Sequence, residues 1–375
     1  MKKLEAIQIL RGAAALMVFH IHTLDIVEGS ALPRQLSFFN TAHFGSCGVD
    51  LFFCISGFIL GSIALRLRPT PSRPFVAAAD FLSRRFLRIL PIYWITSIFW
   101  IFLEAKHHHL TFAWFLNSML LLPSFRFPMP LPVMFIGWTL VFEMFFYYLL
   151  TLNLLIGTRR IVERTIATIL ILITLGIFFG FARPILILVA NPFNLEFVFG
   201  CIIALFFARV GKPDGNRSAI ANIVTITGCV LLGSTYFLGK YNTGIADYIL
   251  NGQLSWYRVL VWGVPAALIT GGLAFRAPVV SSRSGRIAVA FGNASYSIYL
   301  VSGMVLYFYD RIYFIFAPLG PDLNIFFAVV SVATIGLLCH RFVETPINLY
   351  LASHYHRIAL PYAESAPAPA PAPCV

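Results

Sequence analysis

The sequence predicts an all-α protein, a polytopic transmembrane bundle of about ten spans with both termini in the cytoplasm. Of its 375 residues, 59% are hydrophobic and only 11% are charged, whereas soluble domains carry about 25% charged residues. Apolar stretches long enough to cross a bilayer recur about ten times along the chain. Nineteen of the 27 basic residues fall in the segments on the side of the N-terminus and seven on the other side, the asymmetry expected of cytoplasmic loops.

The spans and the domain division follow from the positions of these stretches. We place the spans near 6–26, 45–66, 86–104, 136–157, 164–182, 184–207, 219–238, 256–275, 290–311 and 321–345. The apolar stretch 111–122 is too short to cross, so we expect it to lie at the interface or to re-enter the bundle. Residues 1–350 are predicted to form one transmembrane domain. Residues 351–375 are predicted to form a cytoplasmic tail with a disordered, Ala/Pro-rich end.

The composition argues against two other classes of partner. The net charge is +12, but the basic residues lie in the short loops between the apolar spans, as membrane topology requires. Nucleic-acid binding is therefore not expected, whereas a phosphate-rich ligand at the cytoplasmic face is compatible with this charge distribution. The six cysteines form neither a CxxC pair nor a cluster with the spacing of metal ligands, and no metal site is predicted.

The first span carries ionisable residues inside an apolar helix. Arg11 and His22 are eleven residues apart, which places them within ~20° of one face and about 16 Å apart along the axis. An arginine near the bilayer centre costs about 2.5–3.5 kcal/mol on insertion scales, so it is seldom present without a use. We therefore predict that Arg11 and His22 face one polar cavity, with His20 on the opposite face. A lone intramembrane histidine can also serve only as a hydrogen-bond donor between helices.

Three buried acids extend this prediction. Asp50 and Glu143 are expected at the depth of His22 in the outer half of the membrane, and Glu196 near its middle. A carboxylate beside a histidine fixes its tautomer and suits it to act as a general base. Asp50 and Glu143 could instead bond backbone groups of broken helices.

Basic residues open the third span at its cytoplasmic end. Arg85 and Arg88 are three residues apart and share one side of the helix. They fit either a clamp for phosphate groups or a positive-inside anchor. Near the end of the last span, Arg341 and Glu344 are predicted to form a helix-end salt bridge, and Pro346 to stop the helix.

In order along the chain, these motifs resemble those of the acyltransferase-3 family of membrane O-acyltransferases, in its exopolysaccharide-acetylating branch. The matching segments are Arg11-Gly12 with His22, Gly48 to Phe58, Arg85-x-x-Arg88 with Pro91-x-Tyr93-Trp94, Trp138 to Tyr147, Leu195-Glu196-Phe197 with Gly200, Ser295 to Leu300, and Glu344-Thr345-Pro346. Ser302 stands where many members of the family have a histidine. The additional soluble domain that many members carry is not expected here.

The resemblance implies an enzyme that moves an acyl group, expected to be acetyl, from cytoplasmic acyl-CoA to a sugar hydroxyl. Donor binding is assigned to Arg85, Arg88, Arg11, Tyr93 and Trp94. Arg11 either holds the donor or polarises its thioester carbonyl.

The remaining roles concern the acceptor. His22 is expected to take the proton of the acceptor hydroxyl, with Glu143 or Asp50 orienting it. The residues expected to contact the acceptor are Trp138, Glu196 and Ser302. Direct transfer and an acyl-histidine intermediate both remain open.

The expected setting is the inner membrane of a bacterium. The acceptor could be an exopolysaccharide, another cell-surface glycan or a lipid-linked sugar, with polysaccharide assembly machinery as a further partner. One alternative is a transporter or flippase, because intramembrane His, Asp, Glu and Arg also form substrate and proton pathways. Another is a binding subunit of a polysaccharide export machine.

Overall fold

Helices make up all the regular structure in the described part of the chain, which confirms the all-α prediction. The computed structural model describes residues 4–29, 44–67, 74–104, 111–123, 131–180, 184–210, 215–238, 252, 254–276 and 282–363.

Fourteen helices are named here in chain order. They are α1 (Glu5–Gly29), α2 (Cys47–Ala64), α3 (Pro74–Glu104), α4 (Phe112–Met119), α5 (Trp138–Ile156), α6 (Ile161–Phe179), α7 (Pro184–Val189), α8 (Leu195–Val210), α9 (Gly215–Ser234), α10 (Ser255–Phe275, with a π-turn at Val259–Gly263), α11 (Arg283–Asn293), α12 (Ser295–Phe316), α13 (Pro321–Cys339) and α14 (Thr345–Ala363).

Nine helical segments among the described residues are long and apolar enough to cross a membrane, against the ten predicted. The predicted span 219–238 corresponds to a shorter apolar helix, Ser218–Ser234. This helix runs antiparallel to α10, because a methyl group added at Gly228 would lie 2.8 Å from Ile269 and Trp262 Nε1 donates to Thr235 Oγ1 at 3.1 Å. The expectation of about ten spans is thus met by nine long helices and one shorter one.

Glycines set the close packing of α2 against its neighbours. A methyl group at Gly48 would lie 2.5 Å from the carbonyl oxygen of Ala14, which fixes α2 antiparallel to α1. On the other side, Gly57 of α2 and Gly200 of α8 each meet the backbone of the opposite helix. These contacts leave no room for a side chain and hold α2 in the centre of the bundle.

The short helix α4 confirms that the stretch 111–122 does not span. Tyr93 OH of α3 donates to the carbonyl of Ser118 at 2.9 Å, and Trp94 Nε1 donates to the carbonyl of Met119 at 2.8 Å. These bonds satisfy carbonyls at the end of α4 and fasten it to α3.

The last span continues past the predicted stop. A π-turn at His340–Glu344 leads directly into α14, and Pro346 lies directly after that turn. Pro346 has no N–H to donate, so it distorts the continuous helix locally without ending it. The predicted boundary at residue 350 therefore falls inside a helix, and Tyr355 OH docks that helix on α3 by donating to Asp80 Oδ1 at 3.1 Å. The end of the predicted tail lies outside the described residues.

The predicted salt bridge between Arg341 and Glu344 is not formed. Glu344 instead accepts a hydrogen bond from Ser297 Oγ at 2.6 Å and pairs with His340 Nδ1 at 2.8 Å. The guanidinium of Arg341 lies 5.5 Å from the ring of Phe342. Glu344 faces the bundle and is buried, so its partners come from the interior and from one turn earlier on its own helix.

The packing of α2 on α8 predicts that a Gly→Ala substitution lowers stability at Gly200 but not at Gly233. Gly200→Ala should destabilise the protein by about 1–3 kcal/mol, because the methyl group would overlap the backbone of Cys54 and Phe58. Gly233→Ala is the matched control, since nothing lies within 4 Å of its added methyl group. Thermal unfolding in detergent measures both. Equal melting temperatures for the two variants would contradict the contact.

Candidate active site

A cavity between α1, α2, α3, α5 and α12 holds four of the ionisable side chains singled out above. Arg11, Arg85 and Arg88 line it together with one carboxylate, Glu143. The volume open to the centre of a water molecule is about 90 Å³, enough for several waters or a slender chain. With three guanidinium groups and one carboxylate, the cavity carries an excess of positive charge and suits an anionic ligand.

Glu143 is held by two hydroxyl groups. Ser56 Oγ donates to Glu143 Oε1 at 3.2 Å, and Tyr147 OH donates to the same oxygen at 2.6 Å. Glu143 also attracts Arg11 and Arg85 through space. The carboxylate is therefore fixed in the cavity wall and offsets part of the positive charge there.

The arginines of α3 differ in their surroundings. Arg84 already has partners within the protein. Its Nε donates to both carboxylate oxygens of Asp80, at 2.9 and 3.0 Å, and its guanidinium lies 5.6 Å from the ring centre of Tyr355. Arg85 has a buried Nε with no hydrogen-bond partner in the described part of the chain. A buried donor of this kind is rare in folded proteins, and it fits the binding of an anion from the cavity.

His22 lies away from this cavity. It is not among the described residues that line the cavity, and its imidazole is about one-third exposed. His22 Nδ1 lies 3.4 Å from Asp25 Oδ2, and the ring of Phe135 meets the imidazole edge-on at 5.6 Å between centroids. The predicted single cavity shared by Arg11 and His22 is thus not present in this structure.

The expectation that Glu143 lies at the depth of His22 is wrong. Phe135, in the 3-10 turn that precedes α5, already lies beside His22. Glu143 follows eight residues later, which is about 12 Å further along the helix. The error arose because α5 was assumed to begin at the membrane surface, whereas its first turn is already inside the bundle.

Asp50 is also deeper than predicted and has a different partner. It lies two residues from Gly48, which packs on the Ala14 carbonyl of α1. Its oxygens accept from Arg258 Nε at 3.1 Å and Nη2 at 2.7 Å, and Arg258 Nη2 also reaches the Ser46 carbonyl at 2.9 Å. The predicted pairing of Asp50 with His22 is replaced by this ion pair.

Glu196 completes a sealed cluster with that ion pair. Asp50, Arg258 and Glu196 are each 0% exposed, and Glu196 interacts with both of the others. A methyl group added at Gly263 would lie 2.9 Å from Glu196 Oε1, so the π-turn of α10 closes over the carboxyl group. Glu196 is therefore not placed to contact an acceptor in this structure.

The other predicted binding residues lie outside the cavity. Tyr93 and Trp94 hold α4, as described above. Trp138 is buried and stacks on Phe193 at 6.1 Å. Ser302 Oγ donates to the carbonyl of Tyr299 at 2.6 Å within its own helix. His20 is partly buried at another position on α1.

Three functional candidates were missed in the sequence. Asp25 follows His22 by three residues, and Tyr147 follows Glu143 by four, so both pairings could have been found from helical spacing. Arg258 carries no such local signal. It was counted among the basic residues of an outer segment, and only the fold brings it to Asp50.

A bundle of apolar helices around a cavity with an excess of positive charge is typical of an integral membrane protein. Comparison with known proteins makes this specific. The acyltransferase-3 family, described as an acyltransferase domain, matches residues 4–341, and the chain belongs to this family. No solved structure matches the chain.

Two relatives carry informative names. The chain is similar to "Exopolysaccharide production protein ExoZ" of Rhizobium meliloti (strain 1021), with 29% identity over 314 residues that cover 81% of this chain and 90% of the relative. It is also similar to "Putative peptidoglycan O-acetyltransferase YrhL" of Bacillus subtilis (strain 168), with 24% identity over 372 residues, 88% of this chain and 55% of that relative's length. The chain is therefore an O-acyltransferase enzyme and a multi-pass membrane protein.

The sealed cluster predicts that its two acids differ in their effect on stability. Asp50→Asn should cost about 3–5 kcal/mol, because it removes the carboxylate that accepts both hydrogen bonds from the buried guanidinium of Arg258 and leaves only Glu196 nearby as an acid. Glu196→Gln should cost less, because one carboxylate already balances the guanidinium and a neutral amide replaces the second acid. Thermal unfolding in detergent compares them. A larger loss in Glu196→Gln than in Asp50→Asn would show that the charge pairing is assigned incorrectly.

Proposed function

We propose that the protein transfers an acetyl group from acetyl-CoA, bound in the arginine-lined cavity, to a hydroxyl group of an exopolysaccharide or another cell-surface glycan. The observation that carries this proposal is the buried, unpartnered Nε of Arg85 beside Arg88 and Arg11 in a chain of the acyltransferase-3 family. The names of the two relatives, one from exopolysaccharide production and one from peptidoglycan O-acetylation, support the acceptor class.

The phosphate groups of the donor would bind Arg85 and Arg88. Guanidinium groups match phosphate oxygens in a forked geometry, and both residues lie in the N-terminal half of α3, the half expected on the cytoplasmic side. Arg84 is not expected to take part, because Asp80 and Tyr355 already occupy it.

Arg11, on α1, lines the same cavity as Arg85 and Arg88. Its side chain makes one long hydrogen bond, from Nη1 to Gln8 Oε1 at 3.4 Å. It is therefore suited to hold a polar group of the donor inside the cavity, while the acyl end of the donor extends further toward His22. Glu143 would limit the repulsion between Arg11 and the arginines of α3 rather than orient His22.

His22 would act on the acceptor at the other end of α1. It would take the proton from the sugar hydroxyl as the oxygen attacks the thioester carbonyl, and the thiolate of coenzyme A would leave. Asp25 would orient the imidazole through its contact with Nδ1. The donor must extend its arm along the bundle, since Arg11 and His22 are about 16 Å apart along the helix.

With Arg85 and Arg88 binding the donor and His22 acting on the acceptor, the two substrates would approach from opposite sides of the membrane. The donor would enter from the cytoplasm, and the glycan or lipid-linked sugar would arrive at the outer face of a bacterial inner membrane, with polysaccharide assembly machinery as a further partner. The resemblance to acyltransferases favours this enzyme over the transporter alternative.

Donor binding provides the first test. Arg85→Ala and Arg88→Ala should each weaken the binding of labelled acetyl-CoA about 10–100-fold, the effect of losing a charge-assisted hydrogen bond worth about 1.5–3 kcal/mol. Arg84→Ala is the matched control on the same helix, and its affinity should stay within about two-fold of the wild type because that guanidinium is already engaged. Equal losses of affinity in all three variants would indicate a general effect of positive charge. They would contradict the proposal that Arg85 and Arg88 bind the phosphate groups.

His22 provides the second test, read by mass spectrometry of O-acetyl groups on the cell-envelope glycans. His22→Ala should abolish acetylation, a loss of about 10²–10⁴-fold for a general base, while the binding of acetyl-CoA to the purified variant stays unchanged. His20→Ala, two residues away, should retain acetylation. Normal acetylation in a strain with His22→Ala would refute the assignment of the base and favour a binding subunit.

A further inference from the structure

The end of the cavity nearest to His22 is lined by uncharged side chains, unlike the end that is lined by Arg85 and Arg88. On three separate helices its lining includes Phe52 and Val49 of α2, Thr139 and Leu140 of α5, and Tyr299 of α12. Arg85 and Arg88 of α3 line the cavity toward its other end, beside Glu143 and Tyr147, so this end suits the uncharged part of a ligand.

Two hydroxyl groups close this end. Tyr299 OH donates to the carbonyl of Ile136 at 2.7 Å, and Thr139 Oγ1 lies 2.8 Å from the same hydroxyl. These bonds tie α12 to the first turn of α5, and on the far side of that turn Phe135 contacts His22. The hydroxyls are engaged with each other and with the backbone, so what they present to the cavity is mainly carbon.

Phe52 is the large side chain that narrows this closed end. Its ring lies edge-on to Tyr299, with centroids 6.2 Å apart and an interplanar angle of 63°. Tyr299 is buried at 7% exposure and held by its hydrogen bonds, so Phe52 packs against a side chain in a well-defined position. The aromatic pair is therefore suited to limit the size of the ligand group that fits at this end.

The α2 face that lines the cavity runs from Leu60 to Val49, about 16 Å along the helix. Ser56, whose hydroxyl binds Glu143 near the arginines, lies one turn from Phe52 on that face. A donor whose phosphates bind Arg85 and Arg88 would thus extend toward Phe52, and its acyl group would be the part that meets the ring.

We propose that Phe52 determines the length of the acyl group, admitting the two-carbon acetyl group and rejecting acyl groups of four or more carbons. This inference rests on the proposed acyl-CoA donor. One methylene group too many in a fixed apolar pocket changes selectivity about 10–200-fold, so the ring of Phe52 is large enough to account for strong discrimination.

The test uses the full-length protein in detergent and needs no acceptor. Labelled acetyl-CoA is displaced by unlabelled CoA, acetyl-CoA or butyryl-CoA, and the ratio of butyryl-CoA to acetyl-CoA dissociation constants is compared between variants. In the wild type we expect butyryl-CoA to bind at least about 10-fold more weakly than acetyl-CoA. In Phe52→Ala the ratio should fall to within about two-fold, because the ring is removed, while CoA itself binds as before.

Two further variants keep the test decisive. Phe52→Leu preserves an apolar side chain and should shift the ratio in the same direction if Phe52→Ala fails to fold. Ile59→Ala enlarges the same cavity seven residues further along α2, toward the arginine end, and should leave the ratio unchanged.

The outcomes separate the inference from the proposed donor. A wild-type ratio near one, an unchanged ratio in both Phe52 variants, or an equal shift in Ile59→Ala would overturn the role of Phe52. Failure of wild-type protein to bind either CoA or acetyl-CoA would instead overturn the donor.

Discussion

A charged side chain inside this bundle needs a compensating group, because the surrounding helices offer almost no solvent and few polar atoms. Desolvation of an isolated charge is expensive, so buried ions are paired or bind something. Asp50 and Arg258 satisfy this requirement with two hydrogen bonds to each other. Arg85 Nε has no hydrogen-bond partner within the described residues, and Arg85 lines the cavity. The carboxyl oxygens of Glu196 also lack hydrogen-bond partners there, but they are sealed from the cavity. Access to the cavity therefore separates the charges available to a ligand from those that hold the fold.

The same requirement explains why the charges form two groups. Asp50, Glu196 and Arg258 sit between α2, α8 and α10, fully sealed, and contribute to the shape of the bundle. Arg11, Arg85, Arg88 and Glu143 face a cavity between α1, α2, α3, α5 and α12. Helix α2 carries Asp50 of the first group and, on another face, Ser56, whose hydroxyl donates to Glu143 of the second group. Its close packing against α1 and α8 through glycines therefore bears on the geometry of both groups.

A transfer reaction across a membrane must connect two compartments without opening a leak. In this structure the cationic cavity ends at Phe52, Thr139 and Tyr299, and His22 with Asp25 lies beyond the turn that carries Phe135. An acyl group at the end of an extended donor needs much less space than the donor itself. In the proposed reaction this aromatic boundary would separate the donor from the acceptor. It would admit a small acyl group at the end of the donor and exclude larger polar molecules.

The fold class, the short helix near 111–122 and the positions of Arg11, Arg85, Arg88 and Glu143 on spanning helices follow from the amino-acid sequence, because hydrophobic length and helical spacing are local properties. The sequence motifs also indicate the enzyme family. Which charges meet, in contrast, depends on how the helices pack. The depth of Glu143 depends on where the turn before α5 sits in the bundle, and the partner of Asp50 lies 208 residues away in Arg258. Contacts between helices depend on their vertical offsets and rotations, and a single sequence constrains these only through the packing of the whole bundle.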